Sequence, residues 1–251
     1  MMKATHFITH LQRSFVITRK DIRIYYNKGP VVMLGLLMPF FIFLSFYIGR
    51  DLPSTTLIIV IFAMTIYFSA TSMGPAVMPW EARFKTLERL LSAPISLWSI
   101  ILGNILASFI FGLVLSIVPF ILSLYFGVDV IDPIIIILAI ILASFCFSTF
   151  SVLLSIPPTD EVPQIMMLST IIKFPLLFIS GIFIPLNEMS DESILLSLIS
   201  PLTYFVDLLN FSILGDSYFP VILDLFALSI FIIVFFVVSV KIHTKTAQKR
   251  I

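Results

Sequence analysis

The chain has 251 residues, of which 59% are hydrophobic and only 12% charged, and its mean hydropathy is +1.13. One water-soluble core cannot hide that much apolar surface, so an ordinary soluble fold is excluded and an all-α integral membrane protein is expected. The net charge of +1 says little by itself, no nucleic-acid partner is expected, and the lone Cys146 rules out an intrachain disulfide or a thiolate metal cluster.

Residues 1–30 are basic and lack both a continuous apolar run and a small-residue cleavage site, so no cleaved signal peptide is expected. Wound as a helix, Phe7, Ile8, Leu11, Phe15, Ile22, Tyr25 and Tyr26 gather within roughly 100° of arc. Arg13, Arg19, Lys20 and Arg23 lie elsewhere on the wheel. The pattern predicts an interfacial helix on the inner leaflet, with Gly29-Pro30 turning the chain into the membrane. His6 and His10 have a metal-ligand spacing, but without a third ligand they read as ordinary interfacial polar residues.

Six stretches reach the roughly 20 apolar residues that a spanning helix needs: 31–49, 55–77, 97–125, 134–156, 164–184 and 221–240. The third is longer than a membrane requires, which predicts a tilt, a bend at Pro119 or a projection into water. With the N-terminus inside, every Lys and Arg falls in the cytoplasm except Arg50, outside, and Lys173, within the bilayer. That bias predicts an N-in, C-in topology.

Between the second and third stretches lies a charged segment, 80–94, running from Trp80 to Pro94. Phe84, Leu87 and Leu91 repeat at i, i+3, i+7, with Glu81, Arg83, Lys85, Thr86, Glu88 and Arg89 around them. A single amphipathic helix is expected, wet on most sides, stiffened by a Glu81–Lys85 pair and able to touch a soluble partner. Farther along, Ser108, Gly112 and Ser116 in the third span, and Ser144, Ser148, Ser151 and Ser155 in the fourth, form small or hydroxylic stripes. Such stripes let helices approach closely or line a passage. Lys173 is expected to serve a transport pathway or to bond backbone freed by Pro175. Residues 185–220 are too apolar for a solvated loop and too broken at Ser200-Pro201 for a span, so two short helices dipping into the outer leaflet are expected. His243, in the tail, is expected to meet lipid headgroups.

No phosphate-binding G-x-x-x-x-G-K-[ST], no G-x-S-x-G and no H-E-x-x-H is present. The chain is therefore not expected to be an enzyme or to hydrolyse ATP itself. A secondary transporter or channel acting alone is the alternative reading. Paired charges or repeats would favour it, and Lys173 is the one residue that points that way.

The order of features resembles the permease subunits of ABC-2-type exporters. The resemblance rests on a basic interfacial helix, a first span with Pro39, the segment Glu81…Arg83…Thr86-Leu87-Glu88…Pro94, then Ser180-Gly181-Ile-Phe-Ile-Pro185 and Ser200-Pro-Leu-Thr-Tyr204. It implies a multi-pass protein of the cell (inner or plasma) membrane whose 80–94 segment is a coupling helix. That helix, with the interfacial helix, would contact a separate ATP-binding cassette ATPase, present in two copies. ATP and Mg would sit on that ATPase, and this chain would bind no cofactor. Two permeases, as a homodimer or paired with a relative, would form the pathway where the first and fifth spans meet, near Pro39, Ser180 and Gly181. The substrate implied is hydrophobic or amphiphilic: a drug, lipid or glycoconjugate. Two departures stand out: members often carry Gly where this chain has Lys85, and often a basic residue near Asn210.

Overall fold

The computed structural model describes residues 2–26, 28–49, 52–92, 95–157 and 161–247, and their regular structure is helical, with no strand among them. Helix α1 (Met2–Tyr25) is followed by α2 (Gly29–Val32), a π-helical turn (Met33–Leu37) and α3 (Met38–Gly49). Then come α4 (Ser54–Ser72), α5 (Gly74–Arg83), α6 (Thr86–Ser92), α7 (Leu97–Leu115) and α8 (Ile117–Tyr125). Helices α9 (Pro133–Leu154) and α10 (Val162–Phe178), a 3-10 turn (Leu186–Glu188), α11 (Asp191–Ser197), α12 (Pro201–Leu214) and α13 (Val221–Ala247) complete the chain.

Prolines decide where the long helices deform. Pro39 has no N–H for the Gly35 carbonyl, and its ring presses on that carbonyl. The chain answers by widening into the π turn, in which the Met38 N–H reaches back to the Met33 oxygen. Pro119 likewise leaves Leu115 without its helical donor. The helix stops at Leu115, and Ser116 closes the turn with its N–H on the Gly112 oxygen at 3.0 Å and its hydroxyl on the Leu113 oxygen at 2.7 Å. The helix is thus interrupted near Pro119, three residues earlier, while Leu97–Tyr125 stays one helical run.

Among the described residues, four helical stretches are long and apolar enough to cross a membrane: Ser54–Arg83, Leu97–Tyr125, Pro133–Leu154 and Val221–Lys245. The pair α11–α12, bent by 104° at its break, would make a fifth if it is one span. Stretches 31–49 and 164–184 contain shorter apolar helices, Met33–Ser45 and Val162–Phe178. The second of these ends in the turn at Ile179–Gly181, where Gly181 adopts a φ of 86° that other residues rarely hold.

Helix α4 is the axis of the bundle. It is buried along nearly its whole length and packs against α3, α7, α9 and α12, with Tyr67, Phe62 and Phe68 fully enclosed. Small residues set the spacing around it. Gly74 begins α5 with its N–H on Ser151 Oγ at 2.8 Å, and a Cβ there would stand 2.3 Å from the Ser151 carbonyl oxygen. A Cβ on Gly35 would stand 2.8 Å from the Phe111 ring.

Replacing Gly74 by Ala therefore forces α5 off α9. The expected cost is about 1–3 kcal/mol, read as a lowered melting temperature of the purified protein in detergent. Gly29→Ala, where a Cβ meets nothing within 4 Å, should leave the melt unchanged by comparison.

Candidate functional site

The charged 80–94 segment is not one helix. It is an elbow: α5 ends at Arg83, Phe84 and Lys85 turn, and α6 starts at Thr86. Lys85 takes a φ of 55°, the left-handed conformation that ends helices and that Gly adopts at least cost. The position is the one where the sequence departs from the Gly of the family it resembles, so the departure sits on a backbone constraint. Thr86 secures the far side, its hydroxyl donating to the Glu81 carbonyl at 3.1 Å.

Glu81 differs from expectation in both burial and partner. It is fully buried and pairs with Lys20 of α1, not with Lys85. The turn at Phe84–Lys85 ends the helical register on which an i,i+4 pair depends. Lys20, expected on the polar side of an interfacial helix, is only 27% exposed and also stands 3.0 Å from Asp21. Burial, and next the Glu81 carboxylate, push the Asp21 carboxyl up to about 7 against the pull of Lys20. Beside this clasp the rings of Tyr25 and Trp80 stack at 5.5 Å, 7° from parallel.

Helix α1 is docked on α7 by a face that meets its apolar arc only at one edge, at Tyr25 and Tyr26. Ser14, Ile17, Thr18, Asp21 and Tyr25 are buried, whereas Phe15 and Ile24 are exposed. Thr18 donates to the Gly103 carbonyl at 3.0 Å, and a Cβ on Gly103 would come within 2.7 Å of Ile17. Tyr26 donates to the Ala107 carbonyl at 2.6 Å. His10, weighed as a metal ligand, has its Nδ1 within 2.9 Å of Ser99 Oγ and 3.0 Å of Ser96 Oγ at the start of α7.

The elbow and the neighbouring helix therefore present an exposed surface with a rigid backing. Arg83, Phe84 (65% exposed), Lys85 and Arg89 face outward beside the half-buried Thr86. Arg19 and Arg23 of α1 are exposed, and Arg13 is half-buried. The side chains of Leu87, Glu88 and Leu91 lie outside the described ones, as do residues 93 and 94.

The expected pathway residues lie elsewhere in the fold. Ser144, Ser148 and Ser151 are buried beneath α5 and α7: Ser151 meets Gly74, and a Cβ on Gly112 would lie 3.4 Å from the Ser144 hydroxyl. Pro39 is buried behind the π turn. Ser180 donates to the Leu177 carbonyl at 2.6 Å, and Gly181 borders a cavity of about 170 Å³ shared with Asn187, Asp207, Asn210 and Asp216. Lys173 sits on the packed face of α10, opposite exposed Met167, Ile171 and Phe178. Its Nζ lies 5.9 Å from the Phe68 ring centre and has no hydrogen-bond partner among the described residues, so it is not seen to bond backbone freed by Pro175. His243 is buried, with Nε2 3.1 Å from the Val152 carbonyl oxygen, so the C-terminal helix is pinned to α9 rather than meeting headgroups there.

A family model described as ABC-2 type transporter matches residues 5–214 of the chain. No curated protein matches it.

Two outcomes follow from the clasp and the turn. Lys20→Met leaves Glu81 buried without its cation and should lower stability by about 3 kcal/mol, the low end for a broken buried pair because Lys20 is partly exposed. Adding Glu81→Leu should restore part of the loss in a thermal melt, since that carboxylate is then gone while Asp21 still lacks its cation. Lys85→Gly should raise stability by about 1 kcal/mol by relieving the left-handed strain, whereas Lys85→Val should lower it.

Proposed function

The chain belongs to the ABC-2 type transporter family, and we propose that it is the membrane subunit of an exporter driven by a separate ATPase. Membership makes it a multi-pass transport permease of the kind that usually pairs with an ATPase subunit. The finer assignments are inferences: a six-span, N-in, C-in topology in the cell membrane, an outward direction, and a hydrophobic or amphiphilic substrate. Two ATPase copies would carry ATP and Mg, and a second permease, identical or related, would complete the pathway.

The observation that carries this reading is the elbow backed by the Lys20–Glu81 clasp. The elbow offers an aromatic ring among cations, Phe84 with Arg83, Lys85 and Arg89, held on a helix continuous with the central α4. A soluble partner that shifts on binding ATP does work on the permease only if it contacts the two permease conformations differently. A rigidly backed elbow transmits such a difference, and a free amphipathic helix would not. A second permease is supported by two unpartnered apolar strips: Met33, Leu37 and Phe41 near the π turn, and Met167, Ile171 and Phe178 on α10.

Purifying the tagged chain gently from its native membrane should bring with it a stoichiometric ATPase carrying a phosphate-binding loop. Arg83→Glu combined with Phe84→Ala should weaken that association by about tenfold or more, roughly 1.4 kcal/mol, while leaving the chain in the membrane. A chain that arrives alone and transports in liposomes without ATP would overturn the assignment in favour of a stand-alone transporter.

A further inference from the structure

The face of α1 turned away from α7 carries two cations that the protein itself does not neutralise. Arg19 and Arg23 are both exposed, one helical turn apart. Among the described residues no ion pair occupies either of them. The single acid of α1, Asp21, is buried on the docked side and stands beside Lys20. Phe15, Arg19 and Arg23 follow at i, i+4, i+8 and so lie along one strip, with Val16 next to it. Phe15 is 60% exposed and Val16 70%. The strip therefore joins uncovered apolar surface to uncovered positive charge.

The helix on which α1 is docked fixes where that strip stands. The run Leu97–Tyr125 has 29 residues, which makes it about 44 Å long. The hydrocarbon of a bilayer is about 30 Å thick, so some nine residues of the run, roughly, are left beyond it. Ser96, Trp98 and Ser99 place this excess at its start, since polar residues and Trp belong to the membrane–water boundary. That start is the part α1 covers. His10 meets Ser96 and Ser99, Thr18 meets Gly103, and Tyr26 meets Ala107. Arg19 and Arg23, between Thr18 and Tyr26, stand where the hydrocarbon gives way to headgroups.

We propose that Arg19 and Arg23 form a binding site for the phosphate of an anionic membrane lipid, with Phe15 and Val16 packed against the same molecule. A planar guanidinium grips phosphate oxygens in pairs, and two of them one turn apart can hold a single headgroup between them. An anionic lipid fits better than a neutral one because a headgroup such as choline returns a positive charge to a site that already has two. Lys20 and Asp21 lie between the two arginines in the chain. A lipid that holds this turn of α1 therefore steadies the Lys20–Glu81 clasp from its outer side, and lipid composition sets how firmly the elbow is backed. The site rests on the Leu97–Tyr125 run crossing the bilayer, and on neither the ATPase nor the direction of transport.

The test is native mass spectrometry of the full chain in detergent, titrated with phosphatidylglycerol and, separately, with phosphatidylcholine of the same chains. The first phosphatidylglycerol should bind more tightly than the first phosphatidylcholine. Arg19→Gln and Arg23→Gln should each weaken it by about fivefold and leave phosphatidylcholine unchanged. Lys241→Gln with Lys245→Gln, which removes an exposed pair of the same spacing from α13, should leave the preference intact. Equal binding of the two lipids, or a preference lost with the α13 pair rather than with the arginines, overturns the proposal. So does displacement by inorganic phosphate, which would make this a site for a free anion. Loss of the ATPase from the arginine variants with the lipid preference kept would assign the face to a protein and defeat the proposal too. If those variants do not fold, a benzophenone photocrosslinker at Val16 of the otherwise unaltered chain decides. In vesicles holding both lipids equally it should capture phosphatidylglycerol over phosphatidylcholine, and equal capture, or capture of neither, defeats the site.

Discussion

The ion pair between Lys20 and Glu81 joins two parts of the chain that are 61 residues apart, and the geometry of the exposed elbow depends on it. A buried pair of this kind adds little net stability, because desolvating both charges offsets most of their attraction. Its value is positional. An apolar contact between α1 and α5 could slide by a fraction of a turn, whereas a carboxylate on an ammonium admits few arrangements. The Tyr25–Trp80 stack beside it and the Thr86 bond to the Glu81 carbonyl fix the same junction from two further directions.

Away from that clasp, close approach and short hydrogen bonds hold the helices together. In a membrane, lipid tails are as apolar as the side chains, so burial against a neighbour gains less than in water, and packing with interhelical hydrogen bonds takes over. The contacts follow that rule. Gly103 admits Ile17, Gly74 admits the Ser151 carbonyl, and Gly35 admits the Phe111 ring. Thr18, Tyr26 and Tyr67 each donate to the backbone of another helix, at Gly103, Ala107 and Lys173.

These contacts also explain what could be read from the sequence. Apolar runs announced the long helices, and Pro119 and Ser200-Pro201 announced the breaks, because a missing N–H acts locally whatever the neighbours are. The site was less visible. The period of apolar residues located a helix near 80–94, but it could not reveal the left-handed turn at Lys85, which a Gly would have signalled. The arc of Phe7 to Tyr26 suggested a side of α1 lying on the membrane, and the face packed on α7 meets that arc at Tyr25 and Tyr26 but also carries Ser14, Thr18 and Asp21. In a membrane protein hydrophobicity marks what meets lipid as much as what meets protein, so the small hydroxylic residues were the better guide. Glu81 gave no sign of burial, since its partner Lys20 lies far away in the chain.

The route from the elbow to the core passes through α5, and this helix has a fixed point. At its start Gly74 is pressed on Ser151 of α9, and at its end Glu81 is clasped to α1. Between them Pro79 leaves the Pro75 carbonyl without its helical donor, which softens the middle of the helix. A push on Phe84 and its neighbouring cations therefore does not simply bend the elbow. The clasp hands part of it to α1, and through Thr18 and Gly103 to α7; the Gly74 contact hands the rest to α9 and, along the same helical run, to α4. Since α7 and α9 both pack on α4, the two routes converge on a helix that is buried along nearly its whole length. Either end of α5 could be loosened without unfolding the bundle, but only with both in place does displacement at the surface become displacement at the axis.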